Sequence, residues 1–394
     1  MPRKAGEKAA RAHSPAAFSA LILQGGGALG AYQAGAYEAL AARAARVDWV
    51  AGISIGAINA ALIAGNPAPR RMERLRAFWE RVTLTLPLPP NPEVIGPMRH
   101  WWNDTMALWG ACWGIPGFFS PRPVWSWWPQ PPANLYDTAP LRETLLQLID
   151  FDYLNDGPMR FSVGAVDVES GNFAYFDNRH ERIGPEHVMA SGALPPGFGA
   201  MQIDGRWYWD GGLVSNTPLA YVIDQLEVDA ATPVTLFQID LFSARGQLPH
   251  TLAEVADREK DIRFSSRTRM VSDQLRERHQ QHQRLHQLAR LLPEGQRNSP
   301  AVKALLAGCD DPPITLVHVI HRHKTDETQT KDYEFSRLSM DEHWRSGLCD
   351  MKASLGLMDA QPALDPGEFR TIDYQARAKR QVLSTARPMA KAES

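Results

Sequence analysis

Three short stretches hold the residue types that could do chemistry. Gly52-Ile53-Ser54-Ile55-Gly56 sets a serine between two glycines in a G-x-S-x-G spacing. Small residues two before and two after a serine let the backbone turn sharply, so the hydroxyl projects from the turn. A helix starting just after Ser54 would aim its N-terminal dipole at a developing negative charge. Such a serine suits nucleophilic attack on an acyl carbon. The plainer alternative is a tight turn whose serine caps a helix. Gly25-Gly26-Gly27-Ala28-Leu29-Gly30 is the second stretch. Unhindered backbone N–H groups in such a turn form an anion site. They could hold the oxyanion of acyl transfer. Gly25-x-Gly27-x-x-Gly30 also fits a dinucleotide fingerprint, with Asp48 roughly twenty positions on as the ribose acid. A purely structural glycine turn is the third reading. Asp210-Gly211-Gly212 completes the set, as a turn or as a carboxylate held beside the serine.

Elements must bring these together. Phe18 to Leu23 reads as a buried strand and Ala28 to Ala42 as a helix. Val47 to Ile53 reads as a second strand, and Ile55 to Ala64, apolar all round, as a buried helix. Alternating strands and helices at this spacing predict parallel βαβ units covered on both faces. In such a sheet the loops after the strand C-termini share one edge, where Ser54, the glycine turn and Asp210 would meet. A helix is expected over Ala139 to Ile149, strands over Met159 to Asp167 and Phe173 to Phe176, and a helix over Pro185 to Ser191. A strand at Trp207 to Trp209 and a helix from Pro218 follow. Pro233 to Phe242 and Ile314 to His321 read as interior strands, with a long polar helix over Leu252 to Leu292 between them. No repeat of about 20 to 50 residues is visible.

One region breaks the pattern. Between Pro87 and Pro132 lie eleven of the 30 prolines and seven of the 12 tryptophans: Trp101, Trp102, Trp109, Trp113, Trp125, Trp127 and Trp128. Proline at this density disfavours regular structure. The region reads as an insertion over the main fold. It is either a hydrophobic lid or acyl-chain groove, an anchor at a lipid interface, or a loop packed onto the core.

Composition removes whole classes. Lys and Arg number 42 against 44 Asp and Glu, for a net charge of −2, so a general nucleic-acid binder is disfavoured. Cys112, Cys309 and Cys349 form no metal or disulfide pattern and read as packing residues in a reducing compartment. No apolar run reaches the length of about 18 residues that a membrane span needs. Residues 1–17 carry Arg3, Lys4, Lys8 and Arg11 without a hydrophobic core segment and read as a disordered basic arm, not a secretory signal. Residues 358–394 read as a partly disordered tail. The expected location is cytoplasmic, with peripheral contact at the inner membrane face as a further option. Arg258 to Arg290 is basic, and its His279, His282 and His286 share a helical face, which suits a solvated face, an oligomer contact, anionic lipid or a metal.

The set GGGALGAYQAG, GISIG and WDGG, in that order, resembles the patatin-like phospholipases over Ala17 to about Asp224. The resemblance implies a three-layer α/β/α fold with a mostly parallel central sheet. It also implies a Ser–Asp dyad without a catalytic histidine, and no cofactor or metal. Carried over, Ser54 is the nucleophile, Asp210 its partner, and Gly25, Gly26, Gly27 and Gly30 the oxyanion hole. Ala190-Ser191-Gly192-Ala193-Leu194-Pro195 resembles a family stretch that packs near the site. Many members have Arg or Lys where this chain has Leu29, and Asp where it has Gln24. The first departure removes a cation beside the oxyanion hole and bears on phosphate recognition. The expected layout is a hydrolase domain over 18–357, with a lid-like insertion at 83–135 and a helical C-terminal extension at 250–357.

The implied function is hydrolysis of lipid acyl esters through an acyl-enzyme, as a phospholipase A, lysophospholipase or lipid esterase. The partner would be a lipid or ester substrate, with no nucleic acid; membrane contact and oligomerisation stay open. A carboxylate with the ordinary pKa of about 4 is a weak base for a hydroxyl, so Asp210 should be poorly solvated, which would raise it. The rivals are a non-enzymatic lipid- or membrane-binding protein, a dinucleotide-binding oxidoreductase, and a Ser-Asp-His hydrolase using His318, His321 or His323.

Overall fold

The apolar runs become strands. In chain order they are β1 (Phe18–Leu23), β2 (Trp49–Gly52), β3 (Ser120–Pro121), β4 (Tyr136–Asp137), β5 (Arg160–Asp167), β6 (Phe173–Asp177), β7 (Met201–Ile203), β8 (Arg206–Asp210), β9 (Val234–Asp240), β10 (Ile314–Ile320) and β11 (Phe369–Ile372). The structure, a computed structural model, describes residues 17–85, 98–123, 133–322 and 330–374, without the side chains of 266–269. Nine strands form one sheet in the order β11-β10-β9-β1-β2-β5-β8-β7, with β6 also on β5. From β11 to β5 all neighbours are parallel.

Period two along β1 explains the layers. Leu21 and Leu23 point into one core, against the helices Ala31–Ala42, Ile55–Ala64 and Arg337–Asp359. Ala20 and Ile22 point into the other, against the helix Leu219–Asp224 and Leu275 of the long helix Leu252–Leu291. The sheet is thus buried on both faces, which gives the expected three-layer α/β/α fold. The long helix opens with a capping box: Thr251 Oγ1 accepts from the Glu254 amide, and the Glu254 carboxylate accepts from the Thr251 amide.

Several elements differ from the sequence reading. The first helix opens as a 3-10 turn, Gly27–Gly30, and becomes α-helical only at Ala31. A helix at Ala68–Arg81 was not anticipated, because its sequence is charged except where Leu75, Phe78 and Trp79 face the core. The insertion holds a helix, Arg99–Trp113, where proline density argued against regular structure. Its prolines flank this stretch and none falls inside it. The sheet continues to β11, beyond residue 357, where the tail was expected to start. Of the basic arm, only Ala17 is among the described residues; residues 375–394, Trp125, Trp127, Trp128 and His323 lie outside them.

Candidate active site

Register carries Asp210 to Ser54. Gly52 at the end of β2 lies opposite Val163, and Ala165, two residues on, lies opposite Asp210. β5 outruns β2, and β8 runs back along it antiparallel. Asp210 therefore arrives at the level that Ser54 occupies after Gly52. The parallel-edge expectation is corrected here: the serine and the glycine turn follow parallel strands, but the carboxylate comes from an antiparallel one.

The serine turn is forced by close packing. A Cβ on Gly52 would sit 2.3 Å from the Gly56 carbonyl carbon, and one on Gly56 would sit 2.4 Å from the Leu23 carbonyl oxygen. Without side chains at both, the helix Ile55–Ala64 starts directly against β1 and β2. Ser54 pays with a left-handed backbone, φ 55° and ψ −124°, which costs on the order of 1–3 kcal/mol in a non-glycine residue. Ser191 supports that conformation. Its hydroxyl accepts from the Ser54 amide at 3.0 Å and donates to the Gly164 carbonyl at 2.7 Å.

Asp210 is 2% exposed. Its carboxylate accepts from the Gly212 amide at 2.7 Å and from the Ser54 hydroxyl. Burial pushes its pKa up to about 7, outweighing both hydrogen bonds, which pull it down. Near neutrality such a carboxyl can both take and return a proton.

The glycine turn divides by role. The Gly25 amide donates to the Asn216 carbonyl at 3.2 Å, while Asn216 Nδ2 donates to the Gly25 carbonyl at 3.0 Å. The Ala28 amide donates to the Asp332 carbonyl at 2.7 Å. The amides of Gly26 and Gly27 have no acceptor among the described residues. Both glycines line a cavity of about 660 Å³ with Ser54 and Asp210. Ile55, the first residue of its helix, lines it too, and its amide has no intrahelical partner. Gly27 has φ +53°, and a Cβ there would meet the Asp332 carbonyl oxygen at 1.9 Å. Gly30 is different: it does not line the cavity, and a Cβ there would meet Ile55 at 2.5 Å and Trp79 at 2.9 Å. Its lack of a side chain serves packing, so three of the four glycines assigned to an oxyanion hole reach the cavity.

The rest of the cavity wall is mostly apolar. Phe118 and Phe119 of the insertion region and Tyr136 just after it meet Phe198 and Phe335 in an aromatic cluster. Phe242 and Phe264 meet at 5.1 Å, their rings tilted by 32°, on another wall. Gln24 lies behind the site, fully buried. Its Oε1 accepts from the Leu241 and Phe242 amides, and its Nε2 donates to Thr217 Oγ1 and the Phe264 carbonyl. Leu29 is buried in the core.

Other candidates fall elsewhere. Asp48 holds the Ser19 amide and Arg46 at the N-terminal ends of β1 and β2, the opposite edge from the glycine turn, so the dinucleotide pattern is coincidental. His318 pairs with Asp240 at 2.5 Å, and His321 packs between Tyr32 and His343. Among the described residues no histidine lines the cavity. His282 and His286 bind the 309–311 turn, and no metal-capable cluster is present among the described residues. Sequence reasoning missed Asn216, six residues after Asp210, and the segment Asp332, Tyr333 and Phe335, whose contact with the glycine turn has no local signature.

The patatin-like phospholipase profile matches residues 21–223, and a second profile, described as patatin phospholipase, matches residues 262–366. The chain belongs to the patatin-like phospholipase family, a family of lipid acyl hydrolases. Among solved structures it is similar to VipD from Legionella pneumophila, at 14% identity and a TM-score of 0.38, over 88% of this chain and 67% of that one. No curated protein matches.

Proposed function

We propose that this chain hydrolyses lipid acyl esters with Ser54 as nucleophile and Asp210 as its general base and acid. The observation that carries the reading is the Ser54 hydroxyl donating to a buried carboxyl of raised pKa, beside unpaired amides at an apolar cavity. Ser54 Oγ attacks the ester carbonyl carbon and its proton passes to Asp210. The amides of Gly26 and Gly27, with Ile55, hold the oxyanion. Collapse breaks the ester C–O bond, and the leaving alkoxide takes the proton from Asp210. Water then attacks the acyl-enzyme, giving its proton to Asp210. Release of the fatty acid returns that proton to Ser54. The aromatic walls would hold the acyl chain, with the insertion region forming one side of the groove.

Hydrolysis of short- and medium-chain p-nitrophenyl esters tests this. Wild type should turn over, while Ser54→Ala and Asp210→Ala should not. Turnover by folded Ser54→Ala at the wild-type rate would sink the assignment.

A further inference from the structure

The helix Arg99–Trp113 turns an apolar face to solvent. Trp101 is 63% exposed, Leu108 64%, Trp109 52% and Trp113 70%, with Met98 just before the helix at 57%. At 3.6 residues per turn, positions 98, 101, 108, 109 and 113 fall within one arc. The opposite face, Asn103, Met106, Ala107 and Gly110, is buried. The helix therefore buries one face and still carries large apolar rings on the other, where polar side chains are expected.

The helix that carries this face also borders the cavity. Ala111, on the same helix, lines the cavity, and its carbonyl accepts from the Tyr136 hydroxyl at 2.9 Å. Leu135 and Leu194 line the cavity and are themselves exposed at the rim. The helix thus borders the same cavity whose rim exposes Leu135 and Leu194. Size argues against a second copy as the occupant. The exposed parts of three indoles, of about 150–250 Å² each, with Met98 and Leu108 amount to on the order of 500–600 Å². A standard stable interface needs about 800 Å² per partner. Charge argues against a polyanionic partner, since Arg99 is buried and paired with Glu342 at 3.0 Å. Indole rings favour the boundary between water and hydrocarbon.

We infer that this helix face docks the protein on a lipid surface, with its tryptophans at the headgroup level and the cavity rim against the bilayer. The inference rests on the acyl-hydrolase reading only for the use made of the rim. Docking is driven by apolar insertion, so zwitterionic lipid suffices and salt has little effect.

The test uses zwitterionic phosphatidylcholine vesicles and the full chain in a Ser54→Ala background, so hydrolysis cannot disturb the membrane. Cosedimentation and tryptophan emission report binding. Replacing Trp101, Leu108, Trp109 and Trp113 together with serine should weaken vesicle binding at least tenfold. In the Ser54 background, that variant should keep turnover of a soluble short-chain ester within about twofold, which shows that it folds. Leu252→Ser with Leu291→Ser, more exposed still on the long helix, should leave binding unchanged. Unchanged vesicle binding by the fourfold variant overturns the inference. So does a stable wild-type dimer that the fourfold variant dissolves. Vesicle binding without ester turnover in any form would instead remove the acyl-hydrolase reading and leave the docking face standing.

Discussion

The chain before β9 and the chain after it build the same cavity by different means. The first part supplies Ser54, Asp210 and the unpaired amides, fixed by backbone against backbone: Gly52 on Gly56, Gly56 on Leu23, Gly25 on Asn216. The second supplies Phe264, Asp332, Tyr333 and Phe335, fixed by side-chain ion pairs. Lys331 is almost fully buried between Asp261 at 2.7 Å and Asp257 at 2.9 Å, and Lys260 holds Asp332 at 2.7 Å. Arg258 donates to the Ser243 and Ala244 carbonyls just after β9. Tight turns fix the end of the cavity that holds Ser54 and Asp210, and a clamp of charges braces the wall formed by Phe264, Asp332, Tyr333 and Phe335. The first should tolerate almost no substitution, and the second should be tunable.

Breaking the chemical half has the largest effects. Ser54→Ala should lower kcat/KM by about 10⁴-fold or more without moving the melting temperature. Asp210→Asn should cost about 10³-fold or more, and here stability should move the other way. Its carboxyl is raised from the ordinary range to about 7. The folded chain therefore keeps a proton that the unfolded chain releases between about pH 4 and 7. This group's contribution to stability is full below about pH 4 and lost as pH rises through 7. Asp210→Asn should then be more stable than wild type at pH 8, by at most about 4 kcal/mol, and equal to it near pH 4. Denaturant unfolding at the two pH values checks this.

Lys331→Met strikes the clamp. It leaves Asp257 and Asp261 buried without their cation and should cost about 3–5 kcal/mol. Thermal unfolding reads that cost, while Ser54 in the surviving folded fraction should still react with an ester-mimicking probe. Gly56→Ala sharpens the contrast from the other side. Its Cβ meets only backbone, so roughly 3 kcal/mol of stability and most activity should be lost together. Phe264→Ala is the mildest. Removing one ring from the wall should raise KM for a medium-chain ester about tenfold and change kcat less than about threefold.

The same contrast explains what the sequence reveals. Gly52, Ser54, Gly56 and the turn at Gly25 are legible because a fixed local spacing forces each one. Asp210 is legible through its two glycines and its place after a strand, although the strand's antiparallel direction is not. Gly30 misleads because packing against Ile55 and Trp79 needs a glycine as much as an anion site does. Asp332 and Phe264 are silent: they meet the site across long stretches of chain, through a carbonyl and a ring that carry no pattern. The helix at Arg99–Trp113 was hidden by averaging prolines over a region whose middle contains none.

The pH dependence of fluorophosphonate labelling at Ser54, read by intact-protein and peptide mass spectrometry, tests the central claim most directly. The dyad predicts a single label on Ser54 whose rate rises with pH through about 7, and a collapse of that rate in Asp210→Asn. A label on another residue, or wild-type labelling rates in a folded Asp210→Asn protein, would contradict it.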